Sequence, residues 1–148
     1  LVERRAMFHG FWAKFRKALN LDDKSQPVRP PSISPNQYFD MPEGVDGWAS
    51  TYLSRSAAEA GVYLTLRQNA AGNRLYEALC ADREVINQAL GFPVVWEDNN
   101  TIVAKQRFKG DLADVNRTDV IDWLVPRTNQ MITVLRPRLE ALVKDSGQ

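Results

Sequence analysis

Lys105, Arg107 and Lys109 alternate with Gln106 and Phe108, so a strand through them places these three cations and Val103 on one face. A row of cations can neutralise phosphates and hold a nucleic-acid backbone. Lys and Arg on an edge strand also block sheet-to-sheet association, so nucleic-acid contact competes here with edge protection. Four carboxylates follow closely: Asp111, Asp114, Asp119 and Asp122. Paired acids can hold Mg²⁺ or move protons. Glu97, Asp111 and Asp114 therefore define an alternative reading as a metal-dependent nuclease. The acid-x-Lys spacing that a restriction-type nuclease needs is absent, and acids in loops and first helical turns commonly serve as caps.

The remaining reactive residues offer little. His9 is the only histidine, so any Ser/His/Asp arrangement depends on it, and no nucleophile motif stands near it. Cys80 is the only cysteine and falls on the apolar side of its helix, as a core thiol does. One Cys and one His exclude both an internal disulfide and a Cys/His zinc cage within the chain. No P-loop, GxGxxG or HExxH is present. No catalytic residue, metal or cofactor is expected.

Composition describes an ordinary globular chain. At 148 residues it forms one domain, 1–148, able to bury a self-sufficient core. A net charge of +1 supplies no global field, so any nucleic-acid or membrane contact needs a local patch. No apolar run suits a membrane span or a signal peptide, and the expected location is the cytoplasm. Helical patterning is under way by Phe8 with no capping residue before it. The chain is therefore expected to be the C-terminal piece of a longer protein.

The elements that must position these residues follow from periodicity. Phe8, Phe11, Trp12, Phe15 and Leu19 mark one face of an opening amphipathic helix, with Lys14, Arg16 and Lys17 on its flank. Residues 20–47 hold Pro27, Pro30, Pro31, Pro35 and Pro42 and read as a long loop, laid on the surface by Val28, Ile33, Tyr38 and Phe39. Trp48 to Arg55 and Gly61 to Gln68 read as a hairpin; between them, Ser56 to Ala60 suits a turn or a short helical turn. In the second strand Val62, Leu64 and Leu66 point one way and Tyr63, Thr65 and Arg67 the other.

Asn73 to Phe108 is the organising stretch: helix, stop, strand, turn, strand. Leu75, Leu79, Ile86 and Leu90 build the helix; Ala81-Asp82-Arg83 either faces water within it or restarts it at Asp82, and continuity is expected. Gly91-Phe92-Pro93 stops it, since Gly accepts the left-handed residue after a helix. Asp98-Asn99-Asn100 turns Val94–Glu97 into Ile102–Phe108.

A last helix is capped by Asn116, has Asp119 at its third position, and pairs Val115 with Val120 as a staple. Pro126 and Pro137 predict a kink or a fresh start. Leu124, Met131, Leu135 and Leu142, with Ile121 and Thr128, also fit a seven-residue repeat. They are the candidate partner or homodimer seam; packing on the sheet or first helix is the competing use. The expected fold is α+β: two hairpins forming an antiparallel four-stranded sheet, order α-ββ-α-ββ-α, with helices on one face. Trp12, Trp48, Trp96 and Trp123 are expected in the core or at its rim.

The runs Asn73-Arg74-Leu75-Tyr76-Glu77-Ala78-Leu79, Arg83-Glu84-Val85-Ile86 and Leu90-Gly91-Phe92-Pro93-Val94-Val95-Trp96-Glu97 resemble the bacterial and archaeal DUF4268 domain. Asp122-Trp123, Pro137-Arg138-Leu139 and Phe11-Trp12 with Phe15 extend the resemblance over most of the chain. The Pro-rich stretch and Pro126 depart from it. The resemblance implies no catalytic residue. It implies a module carried at the C-terminus of longer proteins, some nuclease-like or near restriction and phage-defence systems. The resulting expectation is a non-catalytic interaction module that contacts nucleic acid or a protein partner.

Overall fold

The computed structural model describes residues 2–146. Leu1, where an upstream segment is expected, lies outside them. The opening helix, α1, spans Val2–Ala18 and buries Phe8, Phe11, Trp12 and Phe15. Phe11 and Phe15 each meet the Trp12 ring edge-on, with centroids 5.0 and 5.4 Å away. Burying each such side chain stabilises the fold by about 1.5–3 kcal/mol, so this row anchors one end of the core.

The Pro-rich stretch does not run as a loop to Gly47. It contains a strand, β1, at Asn36–Phe39, and the sheet has five strands rather than four. Pro35 fits just before this strand because a prolyl carbonyl still accepts: Leu53 N–H donates to it at 2.9 Å. The preceding loop is tied down by polar bonds. Trp12 Nε1 donates to Ser34 O at 2.9 Å, Asp22 N to Asn129 Oδ1 at 2.8 Å, and Gln37 Nε2 to Pro30 O at 3.1 Å. Val28 and Ile33 stay exposed while Phe39 is buried.

β2 (Gly47–Ser54) and β3 (Glu59–Leu66) form the expected hairpin. Their link is a turn, closed by Ala58 N to Arg55 O at 3.3 Å, with Ala58 at φ 50°. The central helix is two helices, not one. α2 (Ala70–Ala81) is capped by the Asn69 side chain, and α3 (Arg83–Leu90) follows a break at Asp82 (φ −103°, ψ 18°). The change of direction lets α2 pack against β3 and α4 (Thr118–Ser146) while α3 packs against α4. Gly91 ends α3 at φ 78°, and its N–H bonds Asn87 O at 3.1 Å.

β4 (Val95–Glu97) and β5 (Thr101–Arg107) complete the sheet, turning at Asn100 with φ 63°. The order is β1-β2-β3-β5-β4, antiparallel throughout. The last helix, α4, continues through Pro126 and Pro137 without a fresh start. Val120 is buried, whereas Val115 is 38% exposed and lies against Gly10 of α1 instead.

Phe39, Leu53, Ala60, Val62, Leu64, Leu66, Ile102 and Ala104 all face the two buried clusters that hold the helices' apolar residues. One sheet face therefore carries the helices. α4 contributes Leu124 and Ile132 to the cluster under α1, and Met131, Leu135 and Leu139 to that under α2 and α3. Among the described residues no helix is long and apolar enough to cross a membrane.

Candidate functional site

The other sheet face carries the opposite parity of every strand. β1 places Asn36 and Tyr38 there, β2 Trp48, Ser50 and Tyr52, and β3 Glu59, Gly61, Tyr63 and Thr65. Thr101, Val103, Lys105 and Arg107 of β5 and Val95 and Glu97 of β4 complete it. The register sets these out in rows. Tyr38, Ser50, Tyr63, Val103 and Val95 stand side by side across all five strands. One row along, Asn36, Tyr52, Gly61 and Lys105 are aligned; beyond them Arg107 faces Glu59. In the other direction Trp48, Thr65, Thr101 and Glu97 are aligned.

Ser50 lies at the centre of this pattern and is fully buried. Tyr38 and Tyr63 flank it across the strands, and Trp48 and Tyr52 flank it along its own. Four aromatic residues thus surround one small one. Tyr38 and Trp48 are 39% and 37% exposed, whereas Phe39 and Leu53 on the helix side of the same strands are buried. The Tyr52 and Tyr63 ring centroids are 5.8 Å apart. Tyr52 leans over Gly61: a Cβ at that position would stand 2.5 Å from Tyr52 Cε1. Its hydroxyl donates to Glu59 Oε2 at 2.6 Å.

Electrostatics keep these rings neutral. Burial, then the bond to Glu59 and its charge, pushes the Tyr52 pKa well above the usual phenol value. Burial and the neighbouring Tyr38 hydroxyl raise that of Tyr63. Tyr52 and Tyr63 accordingly stay uncharged over a wide pH range.

A shallow depression of about 640 Å³ opens on this face and runs past the start of β1 to Arg4 and Phe8 of α1. Its charged lining is Arg4, Arg55 and Lys105 against Glu97. Arg55 lies 3.3 Å from Asp111 at an exposed position, a weak contact in water. Lys105 and Arg107 are exposed and have no ion-pair partner among the described residues. Arg67 sets its guanidinium 5.7 Å from the Trp48 ring centroid and pairs with Asp46.

The sequence-predicted residues divide clearly. Lys105 and Arg107 share the open face, with Tyr52 in the Lys105 row on the far side of Gly61. Lys109 falls beyond the end of β5 and does not continue their row. β4 pairs only with Thr101–Val103, so the outer side of β5 is unpaired at Lys105 and Arg107, where edge protection still competes with nucleic-acid contact. Leu124, Met131 and Leu135 are buried in the chain's own core, and Leu142 is half-buried against it. Their seven-residue spacing coincides with the stripe that covers the sheet.

Glu97 lies on the open face, while Asp111 and Asp114 belong to the loop after β5. There Asp111 Oδ1 accepts from Ala113 N at 3.2 Å and Asp114 Oδ1 from Asn116 N at 2.8 Å, as turn acids do. Among the described residues no three His, Cys, Asp or Glu side chains gather to hold a metal ion. Cys80 is half-buried, and Arg83 Nη2 stands 3.5 Å from its sulfur.

The model of one family, described as "Domain of unknown function (DUF4268)", matches residues 9–139. The chain belongs to the DUF4268 family. No curated protein and no solved structure matches it. In this DUF4268 chain the match spans all five strands and the aromatic patch, together with α4 as far as Leu139. Sequence reasoning found the two strand cations through their alternation. It missed the patch: Trp48 and Tyr52 share a face by alternation along β2, and Tyr38 joins them only once β1 is paired to β2.

Proposed function

We propose that this domain is a non-catalytic interaction module of a longer bacterial protein, in a restriction or defence setting, and that it contacts nucleic acid through the open sheet face. The observation that carries the reading is the common placement of Lys105 and Arg107 with four aromatic residues on the one sheet face that no helix covers. Cations supply sequence-independent attraction to phosphates, and neutral rings supply flat apolar contact for bases or sugars.

Charge favours an anionic occupant, and the flat rings beside the cations favour nucleic acid among anionic occupants. Three cations and one carboxylate line the depression. The second carboxylate on the face, Glu59, is held by the Tyr52 hydroxyl.

The test is fluorescence anisotropy of labelled oligonucleotides titrated with the chain. Wild type should bind with an affinity that falls linearly, on logarithmic axes, as salt rises. The Lys105→Ala, Arg107→Ala variant should bind more weakly. Equal affinity in the two proteins would remove the reading. Mg²⁺- or Mn²⁺-dependent cleavage of the probe, abolished by Glu97→Gln, would replace it with the nuclease alternative.

A further inference from the structure

We infer that the form bound is single-stranded nucleic acid, its bases stacked on Tyr38, Tyr52 and Tyr63 and its phosphates held by Lys105, Arg107, Arg55 and Arg4. This inference rests on the nucleic-acid reading above and names the ligand of the same face.

The layout of the face separates two functions. Cations gather at the end nearest the β2–β3 turn: Arg55 in the turn, Arg107 opposite Glu59, Lys105 opposite Gly61, and Arg4 beside the start of β1. Tyr52 shares the Lys105 row, and Tyr38 and Tyr63 occupy the next. Gly61 leaves the position between Tyr52 and Lys105 without a side chain, so a base lying on the Tyr52–Tyr63 pair brings its own phosphate toward Lys105. A backbone crossing the strands at the turn end would thus pass a line of cations and lay successive bases on successive rings.

A duplex cannot use this arrangement. Its base faces are occupied by one another, and each ring would meet only sugar edges or phosphate. Five strands at about 4.8 Å spacing present a front of roughly 19 Å, too broad to enter a major groove about 12 Å wide. Unstacked bases, in contrast, find a π-face at each ring whatever their identity. The neutrality of Tyr52 and Tyr63 suits that arrangement, since a phenolate would repel the phosphates beside it.

The experiment compares three fluorescein-labelled probes of equal length with the 148-residue chain: oligo(dT), oligo(U) and a blunt DNA duplex. Anisotropy is read at low and at physiological salt. Single strands should bind at least about tenfold more tightly than the duplex, and the two single-stranded arms report whether a ribose 2′-hydroxyl is also read. Tyr38→Ala should weaken single-strand binding by roughly 5- to 150-fold, the range for removing one stacked base, and leave the duplex arm unchanged. Tyr38→Phe should restore it, because stacking needs the ring and not the hydroxyl. Tyr38 is exposed, so both variants should fold as wild type does.

Two outcomes overturn the inference, and they are distinct. If the duplex binds as tightly as the single strands, or Tyr38→Ala has no effect while Lys105→Ala weakens every probe, the rings do not stack bases although the nucleic-acid reading survives. If no probe binds, both fall, and the face is left to a protein partner.

Discussion

At the residue scale, the patch depends on Gly61 being glycine. A side chain there would collide with the ring of Tyr52, which has Tyr63 on its other side and Glu59 on its hydroxyl. Gly61→Ala should cost about 1–3 kcal/mol by chemical denaturation, as overpacking does, and should cost markedly less with Tyr52→Leu already in place. Three tyrosines also carry a signature in pH. Tyr52 and Tyr63 have raised pKa values, and burial pushes Tyr76, whose hydroxyl donates to Glu97 O at 2.6 Å, up to about 12. Their unfolded value is 10.0, so above that pH the unfolded chain releases protons that the folded chain retains. Stability from these groups is complete below pH 10 and declines as pH rises toward the folded values. Melting temperature should therefore drop between about pH 10 and pH 12, and Tyr52→Phe should make that drop shallower. None of this was legible in the sequence, where Tyr63 was one alternating residue and Tyr38 sat among prolines.

At the scale of the element, α4 shows how a helix runs through two prolines. Each lacks the N–H that would bond the carbonyl four residues back, and its ring pushes the ladder open. Each is followed by an arginine that reaches back along its own turn: Arg127 Nη1 donates to Trp123 O at 3.0 Å, and Arg138 Nη1 to Val134 O at 2.9 Å, each one residue beyond the carbonyl that the proline leaves without its amide donor. Arg138→Ala should cost about 0.5–1.5 kcal/mol in the native chain. Among the other elements, α1, the β2–β3 and β4–β5 hairpins and the Gly91 stop were legible in the sequence, because local spacing and one conformational requirement suffice for them. β1 could not be read, because four residues between prolines become a strand only through pairing with β2. The split at Asp82 overturned the expected continuity for the same reason: the packing of α3 on α4 decides it, and no strong breaker stands in the chain.

For the molecule as a whole, the decisive feature is asymmetry. Among the described residues the four helices lie on one side of a five-stranded sheet, and the other side shows water its rings and two cations, Lys105 and Arg107, without an ion-pair partner. A chain of net charge +1 attracts phosphate only where its cations are concentrated, so affinity should respond to few residues. Lys105→Ala with Arg107→Ala should lower the slope of log affinity against log salt by about 0.7 for each single-strand phosphate left without its cation. The alternation along β5 made these cations legible from sequence. Which face they share depended on long-range pairing and on where the helices settle.

The central claim is that the uncovered face is the binding surface. Amide chemical-shift mapping of the labelled chain during titration with a single-stranded oligonucleotide tests it most directly. The account predicts perturbations concentrated at Tyr38, Tyr52, Gly61, Tyr63, Val103 and Lys105, with the outer surfaces of α2, α3 and α4 unchanged. Perturbations confined to those helices, or none at saturating oligonucleotide, would contradict it.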